Sequence, residues 1–327
     1  MSDSQKKTIE TYQRLMNANA TVQAFLLARK LGVFDKLSEG QQTSIELAEA
    51  LNLSVRPLEL LLDMLCGTGY IEKYTDDYAL SVLGKMLPSE WSDLGCRYWS
   101  ELEGFIRDGS RIASPDDPLE TTEFGVEARA FEWMGTPAAM ELLEILNIGK
   151  SRPGLRVTEL ACGSAVFSSA MAYHSPDMKV CLVDSAENLA RAKETTESIE
   201  VSDRCQFVEA DPTLFEAKFK NDLIVIANRI SHFDDDAIRA LLGNAKKQLN
   251  KKGEIVIVDD FCEKGESLFA NHIKALETEL RTPRSIWRTK RTVTDLLKEC
   301  GFVDVMYSDL RSPPGTKGVL VAGVSSV

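Results

Sequence analysis

From Leu155 onward the apolar positions come in short runs, separated by longer stretches of helical periodicity. Runs over Val157–Leu160, Val180–Val183, Gln206–Glu209, Leu223–Ala227 and Ile255–Val258 predict five strands. Helical patterns fill the gaps, for example Asp236–Leu249, which stops before Lys251, Lys252 and Gly253. Alternation of this kind predicts an α/β fold, a parallel sheet with helices on both faces. The tail breaks the alternation. Val303–Leu310, a Pro-Pro-Gly turn at 313–315 and Gly318–Val324 predict a terminal hairpin, which puts one antiparallel strand into an otherwise parallel sheet.

The first third has a different rhythm. Tyr12, Leu15, Met16, Val22, Phe25, Leu26 and Leu27 make a broad apolar face ending at Gly32. A face that wide on a terminal helix points to a partner in another subunit. Thr43 or Ser44 caps a short helix over Ile45, Leu47, Ala48 and Leu51. Pro57 opens a second, with Leu58, Leu61, Leu62 and Leu65 on one face and Gly67 and Gly69 at its end. Tyr70-Ile71 and Tyr78-Ala79-Leu80 flank a turn-rich Thr-Asp-Asp and read as a small wing. The pattern is a winged helix-turn-helix over residues 1–95. Its second helix carries Glu59 and Asp63 against a single base, Arg56, which favours dimerisation over DNA binding. Residues 96–150 read as bridging helices, and 151–327 as the ligand-binding domain. Trp133 and Met134 belong to an aromatic series in the bridge. Such a series reads first as ordinary core and second as the wall of an apolar substrate pocket.

Composition narrows the class. Of 327 residues, 44% are hydrophobic and 27% charged, as in ordinary globular proteins. Fifty acids against 38 bases leave a net charge of −12, which repels nucleic acid and anionic membranes. No apolar run suits a membrane span, and the N-terminus Met-Ser-Asp-Ser-Gln-Lys-Lys has no signal core. Seven scattered cysteines with no C-x-x-C pair predict reduced cytoplasmic thiols, with neither zinc nor disulfides.

The chemistry concentrates where the strands end. Arg156–Ala165 reads R-V-T-E-L-A-C-G-S-A, and a second run, K-V-C-L-V-D, closes on Asp184. This is the βαβ unit of a nucleoside-binding sheet. Ala161, Gly163, Ser164 and Ala165 let the backbone approach a ligand closely, and Asp184 is placed to accept from both ribose hydroxyls. The same loop without a ligand is a tight strand-to-helix turn. It holds no Lys or Arg for a phosphate, it fits G-x-G-x-x-G poorly, and Glu159 suits an ammonium group. These features favour the amino-acid tail of S-adenosylmethionine over a dinucleotide. Asp211, in F-V-E-A-D-P, is placed to accept from an adenine amino group, and Asn228 to donate to a carboxylate. Of three histidines, His174 reads as a surface residue. His232 follows the fourth strand and reads as a base for a phenolic proton, or as a cap on the helix starting at Asp234–Asp236. Asp260 is the candidate to orient its ring. His272 falls on a helix after the fifth strand, as pocket lining or as a plain helical residue.

At these motifs the chain resembles the S-adenosylmethionine-dependent O-methyltransferases that dimerise through an N-terminal winged helix, a family of plant phenolic and bacterial natural-product enzymes. The resemblance runs from the helix near Tyr12 to the final hairpin. It rests on E-L-A-C-G-S-A (159–165), L-V-D-S (182–185), E-A-D-P (209–212), N-R-I-S-H-F-D-D (228–235), I-V-D-D (257–260) and R-T (288–289) leading to L-L-K-E-C-G-F. It implies a Rossmann-like sheet, an intertwined homodimer, S-adenosylmethionine as methyl donor and a small, aromatic hydroxyl acceptor. His232 stands at the family's base, Asp260 at its acidic partner, and Glu159, Gly163, Asp184 and Asp211 at cofactor positions. No metal is implied. Two departures stand out. Ala161 and Ala165 replace glycines, and Trp287 replaces a glutamate that serves the base, where it is placed instead to pack on an aromatic substrate. Two rival readings remain: a related enzyme that methylates carbon or nitrogen or does other chemistry, and a non-enzymatic winged-helix regulator.

Overall fold

Ser2 opens the first helix through a capping box with Gln5, and α1 (Asp3–Lys30) runs on for 28 residues. A computed structural model of the chain describes residues 2–86, 95–111, 135–149, 151–261, 269–281, 285–311 and 317–324. The chain divides into two compact units, Met1–Arg97 and Tyr98–Val327. In the first, Phe25 and Ala28 of α1 are buried, whereas Ile9, Tyr12, Leu15 and Met16 stay exposed. Gly32, at φ 77°, ends the run and starts α2 (Val33–Ser38), a short helix absent from the sequence reading. A strand, β1 (Gln42–Thr43), leads into α3 (Ser44–Leu51), which Thr43 caps with Glu46 in a second capping box. The next helix, α4 (Val55–Gly67), buries Leu58, Leu62 and Leu65. The wing follows as β2 (Ile71–Tyr74) and β3 (Asp77–Leu80), paired antiparallel, with β1 on the outer edge of β3. Two short helices, α5 (Val82–Met86) and α6 (Cys96–Trp99), come next.

The second unit begins its helices with α7 (Leu102–Asp108) and α8 (135–146). Trp133, Met134 and the loop at 114–125 lie outside the described residues. Strands and helices then alternate: β4 (Arg156–Leu160), α9 (Val166–His174), β5 (Lys179–Asp184), α10 (Ala186–Ser198), β6 (Cys205–Glu209), β7 (Asn221–Ala227), α11 (Asp235–Gln248) and β8 (Leu249–Asp259). After them come α12 (Phe269–Arg281), α13 (Lys290–Glu299), β9 (Phe302–Leu310) and β10 (Lys317–Val324). The seven strands order as β6-β5-β4-β7-β8-β10-β9, and β10 alone runs antiparallel to its neighbours. β8 starts earlier than its apolar run. Leu249 already pairs with Asn221, and a register shift between Asn221 and Leu223 takes up the polar Asn250–Gly253 segment. Two apolar layers bury both faces of the sheet, which is why its central strands show continuous apolar runs instead of alternation. The chain order reverses between β4 and β7, so a crevice opens beyond their carboxyl ends.

Candidate active site

The cofactor side is built on a tight loop. Past β4, Ala161, Gly163 and Ala165 take φ of 55°, 54° and 56°, all left-handed. That conformation is neutral for glycine and costs an alanine about 1–2 kcal/mol. The loop is held by its hydrogen bonds. Ala165 N donates to Cys162 O (2.7 Å), and Gly163 N donates to Asp184 Oδ2 (2.8 Å). The other oxygen of Asp184 accepts from Ser185 N (2.8 Å) and Asn188 Nδ2 (2.9 Å). Asp184, buried at the tip of β5, therefore ties the β4 loop to the start of α10. Ala165 is wholly buried at the N-cap of α9, and its left-handed φ makes its Cβ a source of backbone strain there.

Glu159 lies wholly inside, one residue before the end of β4, where its Oε2 accepts from Ser168 N (3.2 Å). Burial pushes its carboxyl up to about 7, against the pull of the Ser168 bond, with nearby Asp184 adding to the rise. A small crevice of about 20 Å³ opens beside it, lined by Glu159, Gly163, Ser164, Phe167, Asn228 and Arg229 among others. Asn228 takes a left-handed φ of 56° just past β7, fixed by its N–H bond to Val258 O (2.7 Å). Its enclosed Oδ1 finds no hydrogen-bond partner. The atom lacking a mate is an acceptor, so Asn228 offers a place for an N–H group beside the donor role to a carboxylate that the sequence suggests. Asp211 lies two residues beyond β6, exposed, with Oδ1 accepting from Thr213 N (2.8 Å) and Thr213 Oγ1 (2.7 Å) in a local turn.

The other half of the edge carries His232. Arg229 is buried, and Ile230–His232 forms a single 3₁₀ turn. The His232 residue keeps some exposed surface, but its Nδ1 is enclosed. Burial first, then the positive charges of Arg229 and Lys274, push the imidazole well below its ordinary range, so the ring is neutral at pH 7. His232 does not cap the following helix. Asp234 does, its Oδ1 accepting from Ala237 N (2.8 Å). The acid that serves the turn is Asp259, not Asp260. Buried Asp259 accepts from Ile230 N (2.9 Å), and burial with its charged neighbour Asp260 pushes its carboxyl up to about 6. Asp260 Oδ2 meets Lys317 Nζ (3.0 Å), on the antiparallel strand β10. The two aspartates are adjacent in the chain. They part because successive residues at a strand end point to opposite sides.

His272 is exposed on α12, and His174 is exposed at the end of α9, its ring 3.0 Å from Ala170 O. Trp287 is half-buried, its N–H donating to Glu279 Oε1 (3.4 Å) and its enclosed indole Nε1 without a partner. Arg288, quoted above only within a motif, is buried and lies against the His232 turn.

The comparisons agree with this geometry. The O-methyltransferase domain family matches residues 140–303, half of the chain, and the O-methyltransferase dimerisation domain family matches residues 13–88. The chain belongs to the O-methyltransferase family: it is an S-adenosylmethionine-dependent O-methyltransferase whose N-terminal dimerisation domain supports a homodimer. No curated protein matches it in sequence. Among solved structures it is similar to human N-acetylserotonin methyltransferase in complex with SAM, at 17% identity and TM-score 0.77 over 99% of this chain and 100% of that one. It is also similar to an O-methyltransferase family protein from Burkholderia thailandensis, at 16% identity and TM-score 0.75, covering 100% and 99%. A third is CalO1, a methyltransferase of calicheamicin biosynthesis in its SAH-bound form, at 21% identity and TM-score 0.67, covering 99% and 100%. The residues present fit the cofactor. The ammonium group of its amino-acid tail suits the enclosed Glu159 carboxyl and the unmatched Asn228 Oδ1. Among the described residues no group of His, Cys, Asp and Glu gathers as a metal site, and no helix is long and apolar enough to cross a membrane.

Proposed function

We propose that the enzyme methylates a hydroxyl on a small aromatic acceptor, with His232 as the general base. The observation that carries this reading is the enclosed, neutral imidazole on the turn after β7, three residues past Arg229 in the crevice wall. S-adenosylmethionine supplies a methyl group made electrophilic by its sulfonium. Glu159 holds the ammonium end through its ionised carboxylate, Asn228 Oδ1 accepts from the same group, and Asp184 meets the ribose hydroxyls while keeping Gly163 in place. Asp211 turns toward the adenine amino group. His232 removes the hydroxyl proton as the oxygen attacks, which requires the ring to arrive neutral. Because the donor is intrinsically reactive, most of the protein's contribution is alignment. Trp287 walls the acceptor, while the exposed position of His272 favours its plain helical role. We place the domain boundaries at 95 and 150. Six free cysteines among the described residues suit a cytoplasmic setting. The acidic net charge argues against nucleic acid or anionic membrane as partner.

The test is a methyl-transfer assay against matched acceptors that differ only in carrying a phenolic hydroxyl, an amine or a nucleophilic ring carbon. O-methyl product alone, identified by mass spectrometry and NMR, supports the reading. N- or C-methyl product overturns it.

A further inference from the structure

We propose that Arg288 is a positioning residue for catalysis: its guanidinium clamps both sides of the His232 turn and so fixes the aim of the imidazole. The inference rests on the reading of His232 as the base. Its ground is a single buried side chain with four donated hydrogen bonds. Nη1 donates to Ile230 O (3.1 Å) and to Ile286 O (3.1 Å). Nε and Nη2 both donate to Asp235 Oδ1 (3.0 and 2.7 Å). Ile230 is the first residue of the turn that ends at His232, and Asp235 is the first residue of α11. One planar group thus grips the chain on either side of the imidazole.

The surrounding contacts make the clamp specific. Ile286 N donates to Ser231 O (2.8 Å), so the segment 286–288 lies along the turn by two routes. Ile230 has its N–H taken by Asp259 and its carbonyl by Arg288, which immobilises the peptide groups on both sides of its Cα. An arginine this enclosed, with 2% of its side chain exposed, is tolerated only where its N–H groups are satisfied. The fork geometry matters as well. A lysine ammonium carries the same charge but does not reach a carboxylate and two carbonyls from one plane. Asp235 is half-exposed but Arg288 is not, so removing either partner also costs stability, and the ring signal is the readout that reports geometry. Misplacing a reacting group by about 1 Å costs on the order of 10²-fold in rate.

The experiment compares wild type, Arg288→Lys, Asp235→Asn, His232→Ala and the double variant His232→Ala/Arg288→Lys. Turnover and acceptor KM are measured together with the imidazole ¹⁵N–¹H NMR signals, those of His232 being assigned by their loss in His232→Ala. Arg288→Lys is expected to lower kcat by roughly 10- to 100-fold, with S-adenosylmethionine affinity within about twofold of wild type. It is expected to add nothing to His232→Ala, and to move the His232 ring from one tautomer to an exchange-averaged signal. Asp235→Asn is expected to move both readouts the same way, less far. Unchanged ring signals in Arg288→Lys overturn the proposal, as does a kcat loss that persists in full in the double variant. Should Arg288→Lys fail to fold, unchanged ring signals in Asp235→Asn overturn it instead. If His232→Ala keeps full turnover while Arg288→Lys moves the ring, the clamp stands and the base assignment falls.

Discussion

The two halves of the sheet's carboxyl edge handle charge in opposite ways. Around β4 and β5, Glu159 sits buried with one backbone donor and a carboxyl raised to about 7, and Asn228 Oδ1 across the crevice has no mate. Around β7 and β8 the charged groups are paired within the protein, although the Asn228 Oδ1 and His232 Nδ1 atoms are not hydrogen-bonded. Asp259 binds Ile230, Asp260 binds Lys317, Arg288 binds Asp235 and two carbonyls, and His232 is enclosed and neutral. The first half leaves the Glu159 carboxyl with a single backbone donor, free to accept from a cation. The second is fixed in place, as a base that must meet a hydroxyl at a set distance should be. On the proposed roles, binding and chemistry divide along one edge, and substitutions should separate them.

The sharpest separation is expected from His232→Ala. Its kcat should fall roughly 10²–10⁴-fold while S-adenosylmethionine affinity stays within about twofold, read by steady-state kinetics beside calorimetry. The mirror case is Asp184→Ala. This removes a carboxylate that accepts from Gly163 N, Ser185 N and Asn188 Nδ2 and leaves those buried donors unpaired. Cofactor binding should weaken about 10- to 100-fold and the ligand-free protein should lose about 2–4 kcal/mol in denaturant titration, with saturated turnover much less affected. Equal losses of kcat and affinity in both variants would erase the division. A smaller effect of opposite sign is expected from Ala165→Gly. Relief of the left-handed alanine should outweigh the added freedom of the unfolded chain, raising stability by up to about 1 kcal/mol in thermal unfolding.

Much of this edge was legible in the sequence, for a physical reason. Apolar runs ending in Glu159, Asp184 and Asn228 mark strands buried on both faces, and polar residues survive there only where a strand emerges. The winged helix was legible too, because Thr43 with Glu46 and the leucines of α4 are local signals. What did not show were long-range pairings. Asp259 and Asp260 are chemically identical neighbours, and only the insertion of β10, bringing Lys317, tells them apart. Arg288 stands 56 residues beyond His232, and nothing local reveals that its fork reaches Ile230 and Asp235. The amide of Asn228 carries both a donor and an acceptor, so its role waits on which atom the fold encloses.

The most direct test is calorimetric titration of S-adenosylmethionine at pH 6 and pH 7.5 into wild type and Glu159→Gln. Burial holds the free Glu159 carboxyl protonated up to about pH 7, and a cation needs it ionised, so binding must expel a proton below that pH. The wild type should bind roughly five- to tenfold more tightly at pH 7.5 than at pH 6 and release protons at the lower pH. Glu159→Gln should bind more weakly and lose the Glu159-linked part of that difference. Absence of binding heat, or a wild-type pH dependence that Glu159→Gln retains in full, would contradict the assignment of this half of the edge to the cationic cofactor.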